Sequence, residues 1–159
     1  MRLGIVGTGL IVHEVLPMIH LINPEKIYIL GTAHSVEKTE KLCRTYHLNG
    51  CFFDYREFLG ADIDTVYIAI PNHLHYEFAR EALLHHKHVI VEKPITVTSA
   101  QLEDLILLAR EQKCILAEAM SLHYTPACRS IAEKLPLLGE IRLVSFQFCQ
   151  YSSRYDAFC

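Results

Sequence analysis

Three stretches carry residue types whose spacing could do chemistry: Glu92-Lys93-Pro94, Pro71-Asn72-His73-Leu74-His75 and Gly7-Thr8-Gly9. A lysine beside a carboxylate, stiffened by the next proline, can present its ammonium to a reacting centre. Its charge there stabilises a developing alkoxide or polarises a carbonyl, and a lysine so placed can move protons. Asn72 offers a donor and an acceptor on a backbone that Pro71 restrains. His73 and His75 lie two apart, a spacing that shares no helix face, and no further ligands accompany them. No metal site is expected. Two glycines flanking one residue allow a tight turn and a close approach of backbone to phosphate.

These residues need elements to place them. Apolar, β-rich runs at 3–6, 26–30, 65–70, 88–91 and 115–119, with a weak one at 51–53, alternate with segments of helical period at 10–22, 36–46, 73–85, 99–112 and 126–135. Strands apolar on both faces belong in a parallel sheet covered by helices. Their alternation with helices predicts a doubly wound α/β, Rossmann-type fold. The glycine turn follows the first strand and opens the first helix, whose free N–H groups and dipole suit a pyrophosphate. Gly7, Thr8, Gly9, Leu10 and Ile11 are therefore expected to hold NAD or NADP. Val12 stands where the fuller fingerprint has Gly or Ala.

The end of the second strand is where an acid would grip the ribose 2′-hydroxyl. Leu30-Gly31-Thr32-Ala33-His34-Ser35 has none, which permits NADP. Thr32, His34 and Ser35 could donate hydrogen bonds there, and Lys38 could reach a phosphate. Ligands in open α/β sheets sit at the carboxyl edge of the strands. Ile70, Pro71, Asn72 and His75 after the fourth strand, and Glu92, Lys93 and Pro94 after the fifth, are expected to line the cofactor. Local signals place the helix starts: Ser35 before 36, Ser99 or Thr98 before 100, and Thr125 followed by Pro126.

Composition excludes other classes. The 159 residues carry a net charge of −3 with no basic cluster, which argues against nucleic acid. No apolar run approaches the ~20 residues of a membrane span, and no leader-like segment precedes the first strand. A cytoplasmic protein is expected. The six cysteines form no C-x-x-C pair, as suits reduced thiols without a metal role.

Residues 141–148 alternate apolar and polar after the sheet is complete, which predicts the first, half-buried strand of a second α+β domain. The expected division is a dinucleotide-binding domain at 1–123, then a connecting helix and the start of a truncated substrate domain at 124–159.

With G-I-V-G-T-G at 4–9, P-N-H-L-H at 71–75, K-H-V-I-V-E-K-P at 87–94, Y-T-P at 124–126 and L-G-E-I-R at 138–142, the sequence resembles the Gfo/Idh/MocA oxidoreductase family. The resemblance implies NAD(P)-dependent hydride transfer between nicotinamide and a secondary alcohol or carbonyl of a sugar, polyol or related small molecule. It makes Lys93 the active-site lysine and sets Glu92, Pro71 and Asn72 at the nicotinamide end. It also implies a second domain that supplies a catalytic histidine and a sheet through which family members associate, hence a possible homo-oligomer. Only the opening strand of that domain is expected here, so this chain would be the cofactor-binding part. Ala33-His34 stands where many NADP-using relatives have Ser-Arg. The alternative is a dinucleotide-binding module or regulator without turnover.

Overall fold

The computed structural model describes residues 1–149. It forms two compact units, Met1–Met120 and the segment from Ser121 onward.

The first unit holds six parallel strands: β1 (Arg2–Val6), β2 (Lys26–Leu30), β3 (Gly50–Phe52), β4 (Thr65–Ile68), β5 (His88–Val91) and β6 (Leu116–Glu118). Their order is β3-β2-β1-β4-β5-β6, so the chain reverses direction across the sheet between β1 and β4. The helices are α1 (Leu10–Val15), α2 (Val36–Thr45), α3 (Tyr55–Gly60), α4 (His75–Leu84) and α5 (Ser99–Glu111). This is the doubly wound arrangement that the alternation of runs predicts.

Both sheet faces are buried, which is why the strands read as continuous apolar runs. Successive residues point to opposite faces. Leu3, Ile5, Ile29 and Tyr67 join Val12, Leu16, Leu42 and Leu48 on one side. Val6, Leu30, Val66, Ile68, Val89 and Val91 pack with Phe58, Leu83 and Leu105 on the other.

At the carboxyl edge each strand pairing runs one backbone hydrogen bond past the strands themselves. Gly31 N donates to Phe52 O, Gly7 N to Leu30 O, Ala69 N to Val6 O, Glu92 N to Ile68 O and Ala119 N to Val91 O, all at 2.8–3.0 Å. The first residues of the loops are thereby fixed to the sheet. At the opposite edge Asp64 accepts from Arg2 N with both oxygens at 3.1 Å. That edge is occupied by structural ion pairs.

Local chemistry explains where the elements depart from expectation. The first helix ends at Val15 and continues as a 3₁₀ helix over Leu16–Ile22. Pro17 lacks the N–H that would continue the α-helical ladder. Helix α3 was not signalled by apolar period, because it is one and a half turns long. Asp54 caps it by accepting from Arg56 N and Glu57 N at 2.9 Å, and the spacing Asp54-x-x-Glu57 was its available signal. Thr98 rather than Ser99 caps α5. Ser35 does not cap α2; its hydroxyl turns back to accept from Thr32 N at 2.8 Å, so Thr32 and Ser35 form a capping box around the turn Ala33–Ser35.

In the second unit, Thr125 caps α6 (Pro126–Lys134) by accepting from Cys128 N at 3.3 Å, with Pro126 at the first turn. A 3₁₀ turn over Leu135–Leu138 follows. The strand expected at 141–148 is not formed: residues 141–149 have no regular secondary structure and are exposed. A strand exists only by pairing its N–H and C=O groups with a neighbour, and the described residues supply none there. Among the described residues no helix is long and apolar enough to cross a membrane.

Candidate functional site

Four of the loops fixed at the carboxyl edge carry the residues singled out in the sequence. The first leaves β1. Gly7 has φ +114°, and a Cβ there would strike the Ala69 carbonyl oxygen of the neighbouring strand end. Only glycine fits this turn without strain. Gly9 differs: it is extended, and nothing lies within 4 Å of where its Cβ would be. Its glycine is not demanded by packing, and the space it leaves open adjoins the start of α1. No acidic residue lies in that first turn, whose N–H groups precede the helical ladder. Thr8, Leu10 and Ile11 complete this loop and helix start, with Leu10 exposed.

The second loop leaves β2. Thr32 and Ser35 spend their hydroxyls on each other and on the turn, 3.1 Å apart. Thr39 Oγ1 donates to Ser35 O at 2.7 Å from the next turn of helix. Beside this turn lies an open cleft of about 310 Å³ lined by Ala33, His34, Ser35, Val36, Glu37 and Lys38. His34 and Lys38 are where the sequence places polar contacts, while Glu37 brings an acid into the same cleft from just beyond the end of the second strand.

The third loop leaves β4 through Ala69 and Ile70 to Pro71, and Asn72–Leu74 form a 3₁₀ turn. Asn72 and His73 are exposed on this turn. His75 is a correction to the expected cofactor-facing group. Its side chain is fully buried. Nδ1 lies 2.8 Å from Pro94 O and Nε2 lies 2.9 Å from Ile70 O. Both ring nitrogens are engaged by backbone, so the imidazole is an internal strut between the third and fourth loops. Its place at the first residue of α4, facing the sheet, is what buries it.

The fourth loop leaves β5. Glu92 Oε1 accepts from Tyr67 Oη at 2.6 Å, and Oε2 accepts from Lys93 N at 3.3 Å. Burial, then the Glu92 carboxylate, hold the Tyr67 hydroxyl well above the usual tyrosine range. The Lys93–Pro94 peptide is cis, and Lys93 and Pro94 are exposed while Glu92 is half-buried. Ile95 N donates to Glu118 Oε1 at 2.9 Å, bringing in the end of β6. Sequence reading missed both Tyr67 and Glu118. Each sits inside a strand run and reads there as an ordinary strand residue.

The loops of β1, β4 and β5 are adjacent because their strands are, and the β1/β4 reversal lies among them. Open α/β sheets bind ligands at such a point.

Comparison with known proteins agrees with this fold. A family model described as an oxidoreductase family with an NAD-binding Rossmann fold matches residues 1–120. The scyllo-inositol 2-dehydrogenase (NADP(+)) of Bacillus subtilis (strain 168) is 33% identical over 158 residues, covering 99% of this chain and 48% of that protein. The crystal structure of a 3-ketoreductase from Actinomadura kijaniata in complex with NADP and TDP-benzene matches with a TM-score of 0.79 at 28% identity, over 86% of this chain and 42% of that one. The biliverdin reductase of Synechocystis sp. PCC 6803, in complex with biliverdin and NADP+, matches with a TM-score of 0.74 at 28% identity, over 87% of this chain and 44% of that one. The chain spans about half the length of the curated relatives it matches.

Proposed function

Because the chain belongs to the Gfo/Idh/MocA oxidoreductase family, with its NAD-binding Rossmann fold, we propose that it is the cofactor-holding part of an NAD(P)-dependent dehydrogenase or reductase acting on a sugar, polyol or related small molecule. When bound, the nicotinamide supplies a hydride donor or acceptor. The residues of this chain bind, orient and place charge.

The observation that carries this reading is the open position at Gly9, set against the closed one at Gly7, at the start of α1. A side chain at Gly9 would occupy the space through which a phosphate would approach the first turn of α1. Gly7 through Ile11 would take the pyrophosphate on backbone N–H groups. Thr32, His34 and Lys38 would meet the adenosine ribose, and NADP is favoured because Lys38 lines the cleft and no acid ends β2. Glu37 in the same cleft works against that preference, which keeps the tilt modest. Ile70, Pro71, Asn72, Glu92 and Pro94 would line the nicotinamide end.

Lys93 would act on chemistry. Its exposed ammonium stands next to a half-buried carboxylate that Tyr67 already engages, so it is free to hold charge or a proton at the substrate oxygen. The sugar or polyol reading draws on the inositol dehydrogenase and ketoreductase relatives. Titration of the chain with NADPH and with NADH, followed by nicotinamide fluorescence, tests the cofactor role. Absence of binding by either would remove it.

A further inference from the structure

The loop that carries Lys93 is held by its neighbours on both sides while the lysine side chain is left exposed. Glu92, one residue before, accepts from Tyr67 Oη at 2.6 Å. The carbonyl of Pro94, one residue after, faces His75 Nδ1 at 2.8 Å. The N–H of Ile95, two after, donates to Glu118 Oε1 at 2.9 Å. The three holding groups come from three different elements: Tyr67 from β4, His75 from the start of α4, and Glu118 from the end of β6.

Each of the three spends a polar group on this loop or on the residue beside Lys93. A wholly buried imidazole carries a desolvation cost that an apolar side chain of similar size would avoid. The ring is nevertheless fully buried, and its second nitrogen lies 2.9 Å from Ile70 O. It thus ties the loop after β5 to the loop after β4, the two that carry Lys93 and Asn72. Tyr67 is the polar member of the apolar cluster on its face of the sheet, and its hydroxyl reaches out of that cluster only to Glu92.

We propose that His75, together with Tyr67 and Glu118, forms a bracket of positioning residues that fixes the backbone on both sides of Lys93 and so aims its ammonium. The proposal rests on the reading of Lys93 as the active-site lysine. The principle is that a reacting group must be held by residues locked in turn by their own packing and hydrogen bonds. A side chain as long as lysine is aimed only if its Cα is fixed, since the tetramethylene stem adds freedom of its own.

The test uses the whole chain, isotopically labelled, with backbone order parameters measured for residues 92–95 in the wild type and in His75→Leu, Tyr67→Phe and Glu118→Ala. The Lys93 and Ile95 amides should fall from about 0.85 to below about 0.6 in His75→Leu and fall by less in the other two. The amides of α5 should stay as in the wild type. In parallel, NADPH affinity should drop about tenfold in His75→Leu, because the loops after β4 and β5 that His75 ties together would line the nicotinamide, while affinity for 2′,5′-ADP, which lacks the nicotinamide, should stay within about twofold. A merely structural histidine would lower both alike.

Unchanged order at Lys93 and Ile95 in all three variants overturns the bracket, as does an equal loss of NADPH and 2′,5′-ADP. Should His75→Leu disorder α5 as well, Tyr67→Phe and Glu118→Ala decide by the same order parameters. A wild type that binds neither nucleotide refutes the cofactor reading instead, and the order parameters still decide the bracket.

Discussion

Tyr67 and Glu92 sit on adjacent parallel strand ends, and the tyrosine hydroxyl donates to the glutamate at 2.6 Å. Tyr67 pairs with Ile90 in the β4–β5 register. Glu92, two residues on, therefore projects from the same face of the sheet as Ile90. The sheet's register is thus what delivers a donor to the carboxylate next to Lys93.

This pair makes stability depend on alkaline pH. Burial and Glu92 raise the Tyr67 hydroxyl from its ordinary value of 10.0, and burial first, then Glu81, does the same to Tyr55. Above that value the unfolded chain gives up protons that the folded chain keeps. Stability is fully present below pH about 10 and is lost as pH rises beyond it. Urea midpoints between pH 8 and 12 should fall above about 10, and Tyr55→Phe or Tyr67→Phe should flatten the fall. A midpoint independent of pH in that range would show that neither hydroxyl is coupled to folding.

The two glycines of the first loop should separate folding from binding. Gly7→Ala should cost about 1–3 kcal/mol, because φ is +114° and the added methyl meets the Ala69 carbonyl. Gly9→Ala should melt like the wild type, since its Cβ position is empty. Its dinucleotide affinity should fall about tenfold as the methyl fills the phosphate space. Thermal melts and titrations on both variants check this, and normal affinity in Gly9→Ala would count against a phosphate there.

Cofactor choice should turn on the loop after β2. Thr32→Asp should keep the turn, because Asp is as good an N-cap. It should move preference towards NADH by about 1–2 kcal/mol through a charged hydrogen bond gained and phosphate repelled. Lys38→Ala should weaken NADPH and leave NADH unchanged. Side-by-side titrations decide, and a strong wild-type preference for NADH would contradict the argument.

In any preparation of this protein that turns over a sugar or polyol, Lys93→Ala should lower kcat roughly 10²-fold with little change in cofactor affinity. Lys93→Arg should not restore it, since the guanidinium stays protonated and is shaped differently. An unchanged kcat in the alanine variant removes Lys93 from the mechanism.

The tail should be sticky. Leu143, Phe146 and Phe148 are about nine-tenths exposed, and apolar exposure of this kind promotes association. Removing everything after Leu138 should reduce self-association in light scattering without loss of dinucleotide affinity. A loss of affinity would tie the tail to cofactor binding.

The order of strands and helices was legible in the sequence because strands buried on both faces leave an unmistakable apolar run. So was the place of the four loops at the carboxyl edge of the sheet. What was not legible needed three dimensions. His75 read as a ligand-facing neighbour of Asn72, yet one turn of 3₁₀ helix points it into the interior. Tyr67 and Glu118 lie 26 and 25 residues from Lys93 and reach its loop only through the sheet register. The strand expected at 141–148 failed for a related reason, since a strand is a property of a pair and its alternation cannot name the partner.

The turn after β2 is self-contained: Thr32 and Ser35 satisfy each other's polar groups, and Thr39 closes the turn from α2. Its fold does not draw on side chains from elsewhere in the sheet. Residues 32–39 can therefore be treated as a cassette, grafted from a relative with a different cofactor taste or randomised in a library. The transplant leaves both apolar layers untouched except at Thr39, where the incoming helix must keep a small residue against Gly31. Selection on such a library would report recognition, largely uncoupled from expression and solubility.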